Sequence, residues 1–136
     1  MRRTAIGILL KNNKILLTKR SLKNTYSGLW SLPGGHIKPN ESLETALKRE
    51  MKEELEIDIR KFKFLMTVER IDPTSNEHFE HNLFIITDWV GDIKESIEQK
   101  EINWFNINKL PKNHSIKSDV LDKLKEELIN YEGKDG

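Results

Sequence analysis

Cysteine is missing altogether from these 136 residues, so disulfides, thiolate nucleophiles and zinc–thiolate sites are excluded. Net charge is nearly missing too. The 23 basic side chains stand against 22 acidic ones, without the basic excess of a dedicated nucleic-acid surface. Long apolar runs are also lacking: the first, Ala5 to Leu10, is cut by Lys11, too short for a membrane span or the core of a secretion signal. A cytoplasmic chain with no membrane partner is the expectation. Internal repeats and low-complexity tracts do not occur. What is present, 33% charged and 36% hydrophobic residues, suits one globular domain over residues 1–136 with a real core.

Thr4–Leu10 and Lys14–Arg20 read as two strands joined at Asn12-Asn13, which tolerate the positive φ of a tight hairpin. Residues 21–35 read as a polar loop, a short strand around Trp30 and Leu32, and a Pro-Gly-Gly corner. Ser42 is a fitting N-cap for a helix over 42–55. Phe62, Phe64, Met66 and Val68 alternate as in a half-buried strand. Residues 81–90 are apolar on both alternating sets, as in a strand covered on both faces. Residues 71–80 and 91–100 read as loops, Glu101–Phe105 as a short strand, and 106–111 as a turn or short helix. Val120, Leu121, Leu124, Leu128 and Tyr131 mark an amphipathic helix that ends at Gly133. This order predicts a sheet with helices on its faces.

The helix over 42–55 carries an anomaly. At ~100° per residue, Leu43, Leu47, Met51 and Leu55 form one apolar arc, and Glu50 and Glu54 fall inside it, with Glu53 at its edge. A solvated face would put these charges on the side of Lys48 and Lys52. Carboxylates in a core-facing stripe are costly to desolvate and repel each other unless a cation compensates. Clustered hard oxygen donors at i, i+3, i+4 suit Mg²⁺ or Mn²⁺, with positions left for phosphate oxygens.

Gly35, Glu41 and the run Arg49-Glu50-Met51-Lys52-Glu53-Glu54-Leu55-Glu56-Ile57 stand in fixed order. They resemble the signature of the Nudix hydrolases, G-x5-E-x7-R-E-U-x-E-E-x-G-U with U a bulky aliphatic. Each specified position matches except Glu56, which replaces a glycine. "GLWSLPGG" and "INWFNINKLP" extend the resemblance over most of the chain. The resemblance implies an α/β/α sandwich with a mixed β-sheet. It further implies hydrolysis of a nucleoside diphosphate linked to another moiety, by water that a divalent metal activates. On it, Glu50, Glu53 and Glu54 are metal ligands, with Glu53 also a candidate for orienting or deprotonating the water. A carbonyl of Gly34 or Gly35 completes the shell, and Arg49 with Glu41 braces the unit. Glu98 matches the spacing of a MutT-type metal ligand, with Glu101 as the alternative. Arg20 matches that of a phosphate-contacting arginine, and Asn113 is a candidate for base recognition.

Three functions follow. The first is a MutT-type pyrophosphohydrolase acting on a nucleoside triphosphate, oxidised or not, to give a monophosphate and pyrophosphate. The second is a hydrolase of ADP-ribose or another nucleoside-diphosphate sugar, for which Pro73 falls near a downstream proline of that class. The third is a non-catalytic nucleotide-binding regulator, which would not need the whole carboxylate set. The partner is a nucleotide or nucleoside-diphosphate-linked small molecule, and the chain is a monomer or homodimer. His36, His78, His81, Trp30 and Trp89 read as turn, loop or packing residues.

Overall fold

A computed structural model describes residues 1–20 and 28–135, with 130–135 as helix backbone; residues 21–27 of the expected 21–35 segment and the Tyr131 side chain lie outside the described residues. β1 (Arg2–Lys11) and β2 (Lys14–Arg20) form the expected hairpin, with Asn12 and Asn13 at φ 53° and 63°. The sheet is organised around β1. One edge pairs in parallel with β6 (His78–Val90) from Arg2 to Leu9. The other edge is shared: β4 (Gly34–His36) pairs with Thr4–Ile6, and β2 with Leu10 and Lys11. β3 (Trp30–Ser31) lies on β2. β5 (Asp58–Ile71) runs antiparallel to β6, β8 (Lys100–Asn106) to β2, and β7 (Ser96–Ile97) to β8. The order β5-β6-β1-β2-β8-β7 makes one mixed sheet.

Alternation along the inner strands feeds two cores. Ala5, Leu9, Leu16 and Ile86 pack with Ala46, Leu47, Met51 and Leu55 of α1 (Leu43–Leu55). Ile8, Ile15, Leu17 and Ile85 pack with Val120, Leu124 and Leu128 of α2 (Ser118–Asp135). The fold is an α/β/α sandwich. Among the described residues no helix is long and apolar enough to cross a membrane.

α1 starts where Ser42 caps it, its hydroxyl accepting the Thr45 N–H at 3.1 Å. Leu47, Met51 and Leu55 are fully buried, each worth about 1.5–3 kcal/mol. Gly7 makes room for them: a Cβ there would lie 2.9 Å from Met51 Sδ. The helix ends on Glu56 in the left-handed conformation, φ 58° and ψ 39°, with its N–H on the Lys52 carbonyl at 3.0 Å. Glutamate is strained there and glycine is not. The Lys94–Glu56 bridge at 2.7 Å is half-exposed and offsets little of this. Glu56→Gly is therefore expected to stabilise the fold by about 1 kcal/mol in urea unfolding, with activity unchanged; a lower midpoint would refute the strain.

Four expectations are corrected. Residues 78–80 extend β6, so His78 lies on a strand, and His81, half-buried, places Nδ1 2.7 Å from Thr4 Oγ1. Residues 96–97 form β7. α2 continues through Gly133 to Asp135. The alternation of β5 slips at a bulge between Phe64 and Met66, which leaves Phe64 49% exposed and turns Leu65 inward at 8%.

Candidate active site

The face of α1 that meets β4 carries the acidic residues, and their burial follows the helix arithmetic. Glu50 is buried at 8% exposure, Glu54 is half-buried, and Glu53 is exposed. Glu50 lies against the Pro-Gly-Gly corner: a Cβ on Gly35 would sit 2.5 Å from Glu50 Cδ. Gly34 faces a similar restriction, since its Cβ would come within 2.8 Å of Ile6 Cα. β1 thus holds both glycines through its ladder to β4 and presents Gly35 as the floor beneath a carboxylate.

Arg49 organises the unit. It grips Glu41 with two bonds, Nε to Oε2 at 2.7 Å and Nη2 to Oε1 at 2.8 Å, and donates to the His36 carbonyl at 2.9 Å. This bracing joins the loop before α1 to the helix itself. The same guanidinium reaches Glu50 Oε1 at 2.7 Å and Glu53 Oε2 at 3.2 Å, two contacts beyond the brace. Its hydrogen bonds to Glu41 raise the arginine pKa. Reciprocally, the Arg49 hydrogen bonds, helped by the Lys38 N–H, hold Glu41 at about 2 instead of 4.5. A depressed carboxylate contributes stability that is present above its unfolded pKa and lost as pH falls through its folded one. Glu41→Gln should therefore flatten the stability curve between pH 4.5 and about 2 relative to the parent chain. Urea titrations across that window measure it, and parallel curves would refute it.

Glu54 is met from elsewhere in the chain. Lys100 Nζ on β8 lies 2.5 Å from Glu54 Oε2, with both side chains mostly covered. Lys100 stands opposite Arg20 of β2, and Arg20, Glu98, Gln99 and Lys100 line a groove of about 540 Å³. Glu98 is the left-handed residue, φ 55°, at the tip of the β7–β8 hairpin. Glu101, the alternative to Glu98, is paired with Lys19 at 3.1 Å. Sequence reasoning missed Lys100, because the expected strand began one residue later.

Among the described residues no three Asp, Glu or His side chains are gathered as a ready metal cluster. The three signature carboxylates are instead turned onto protein cations: Glu50 and Glu53 onto Arg49, Glu54 onto Lys100. That arrangement meets the electrostatic demand raised by the sequence, and the donor set fits a divalent ion. The oxygens are hard, they share one face of one helix, and the protein's own cations already stand against them.

A second cavity, about 510 Å³, opens on the α2 side of the sheet. Its walls include Ile6, Leu32, Val68, Leu83 and Ile116, with His81 among them. Ser31 and Leu32 line it, and Gly34 and Gly35 follow within the same short segment, so one stretch of chain borders both this cavity and Glu50. Burial, Arg70 and His36 lower the His81 pKa. Asn113 is not among the lining residues. Its side-chain amide donates to the Gly28 carbonyl, and its backbone carbonyl accepts the Trp30 N–H at 2.8 Å. Trp30 packs edge-on against Phe105, and Trp89 stacks on Trp104.

The family model described as "NUDIX domain" matches residues 1–124. Over 88 residues the chain is 40% identical to an 8-oxo-dGTP diphosphatase of Buchnera aphidicola, covering 65% of each chain. Over 107 residues it is 39% identical to an ADP-ribose pyrophosphatase of Methanocaldococcus jannaschii, covering 78% of this chain and 62% of the relative. It thus spans slightly less than two thirds of either relative's length. The crystal structure of a MutT NUDIX hydrolase from Burkholderia pseudomallei superposes with a TM-score of 0.77 at 26% identity, covering 88% of this chain and 94% of that one.

Proposed function

The chain belongs to the NUDIX family, and from that premise we propose that it is a pyrophosphohydrolase of nucleoside triphosphates that uses Mg²⁺, with Mn²⁺ as a substitute, in the cytoplasm. The observation that carries the reading is the placement of three balanced carboxylates on α1 beside a cation-bearing groove, with an apolar cavity on the α2 side of the sheet bordered by the same 31–35 segment that meets Glu50. The cavity volume is within the range of small-molecule pockets, so it is assigned to the nucleoside. The polyphosphate is assigned to the side bearing Arg20 and Lys100.

Glu50, Glu53 and Glu54 are the residues that would hold the metal, with Glu98 and a Gly34 or Gly35 carbonyl as further ligands. When bound, the divalent ion neutralises phosphate oxygens and acidifies a water molecule. The chain's residues do the rest. Gly35 and Arg49 fix Glu50, so one donor is preorganised. Glu53, the most exposed of the three, takes the proton from the attacking water. The water oxygen bonds to phosphorus, the anhydride P–O bond breaks, and pyrophosphate leaves with the bonding electrons. Arg20 meets charge on the phosphate tail. Asn113 contributes to base recognition through the 28–31 segment that it fastens.

The test is product analysis with dGTP, 8-oxo-dGTP and CTP plus Mg²⁺. A monophosphate and pyrophosphate are expected from at least one, and no turnover of any would sink the reading. A second reading, hydrolysis of ADP-ribose, is favoured by Pro73 lining the apolar cavity. AMP from ADP-ribose with triphosphates untouched would select it.

A further inference from the structure

Apart from the Arg49 contacts, two ion pairs near the C-terminal end of α1 are ordinary surface contacts. Lys52–Asp58 and Lys94–Glu56 join side chains that are about half exposed. Lys100–Glu54 differs in three respects. It is short, at 2.5 Å; its side chains are only 23% and 18% exposed; and it joins a strand to a helix across 46 positions of sequence. The ammonium stands against a carboxylate assigned to the divalent ion. A lysine there and a metal cannot both stay close to Glu54 Oε2 without strong repulsion.

Lys100 also has somewhere to go. Its backbone is fixed by the β2 ladder opposite Arg20 and by the β7 partner Ile97. Its side chain has four methylenes of freedom. Released from Glu54, the ammonium remains in the groove that Arg20, Glu98 and Gln99 line. An anionic phosphate tail entering this groove would give it a new partner.

We propose that Lys100 is an internal counter-ion that competes with the divalent metal for Glu54 and, once displaced, joins Arg20 on the polyphosphate. This rests on the reading of Glu54 as a metal ligand. The consequence is coupling: metal binding frees a cation for the substrate, and substrate binding removes a competitor of the metal. Such coupling is reciprocal by linkage. The free protein is thereby kept from holding its metal tightly until a polyphosphate arrives.

The experiment titrates Mn²⁺ alone, followed by the loss of its free paramagnetic signal, into the parent chain, Lys100→Met, Lys100→Arg and Glu54→Gln. Lys100→Met should bind Mn²⁺ about tenfold more tightly, and Mn²⁺ should raise its melting temperature more than that of the parent. Lys100→Arg, which keeps the charge, should stay near the parent and serves as the folded comparison should the methionine variant fold poorly. With whichever triphosphate is turned over at saturating Mg²⁺, Lys100→Met should raise KM about tenfold and change kcat less than twofold. Unchanged or weaker Mn²⁺ binding in Lys100→Met overturns the competition, and an unchanged KM overturns the phosphate contact. If Glu54→Gln binds Mn²⁺ like the parent, the metal assignment itself fails. If it loses the site while Lys100→Met matches the parent, only the role of Lys100 fails.

Discussion

Glutamine in place of Glu53 is expected to lower turnover by about 10²–10⁴-fold while the melting temperature stays within a few degrees of the parent. The two halves of this expectation have separate causes. Glu53 is 56% exposed on its side chain, and its ion pair to Arg49 Nη1 is 3.2 Å long. Glutamine has the same shape and can still accept from Arg49, so folding loses little. It cannot accept the proton of an attacking water at neutral pH. The same change at Glu54 removes a proposed metal donor, which should depress Mn²⁺ affinity as well as turnover. Steady-state kinetics with Mn²⁺ titration therefore separates the two: Glu53→Gln should keep more of the metal binding than of the rate. Turnover within twofold of the parent would remove Glu53 from the chemistry and leave Glu50 or Glu54 as the base.

Local periodicity made α1 legible. That Glu50 and Glu54 are covered while Glu53 is exposed follows from residue spacing because a helix repeats over a few residues, whereas the deeper burial of Glu50 comes from its place against Gly35. The Ser42 cap was readable for the same local reason. Residues that act through strand pairing were not. Lys100 meets Glu54 only because β8 lies on β2 in one register, and no local pattern specifies that register. Strand 78–80 was hidden by its polarity. Glu80 takes Arg3 at 2.6 Å, and His81 takes Thr4 at 2.7 Å, so these polar side chains find partners across the parallel β1–β6 ladder instead of in solvent. At β5 the bulge between Phe64 and Met66 reversed the phase at Leu65, a change that alternation cannot anticipate. The signature residues were the readable part of the site, and the cations that balance them were only half so. Arg49 was expected to meet Glu41, and its further contacts with Glu50 and Glu53 come from the side-chain geometry of the folded helix.

Alanine at Gly35 is expected to be more damaging than its size suggests, because the floor and the carboxylate above it cannot both stay. The added Cβ would fall 2.5 Å from Glu50 Cδ, closer than real Cβ atoms approach anything. Gly35 cannot retreat, since it pairs with Ala5 of β1, a fully buried residue. Glu50 must therefore move, and a shift of about 1 Å in a catalytic group costs on the order of 10²-fold in rate. Moving it also strains the 2.7 Å contact with Arg49, which is committed to Glu41 and the His36 carbonyl. Overpacking of this kind costs about 1–3 kcal/mol of stability. The variant should thus show a lower urea midpoint together with kcat reduced about a hundredfold and weakened Mn²⁺ binding. Gly7→Ala is the informative comparison. Its Cβ meets Met51 and Ile86 side-chain ends in the same core, so it should cost stability without a comparable loss of metal. Equal metal affinity in Gly35→Ala and the parent chain would mean that Glu50 does not bind the ion from its place against the glycine.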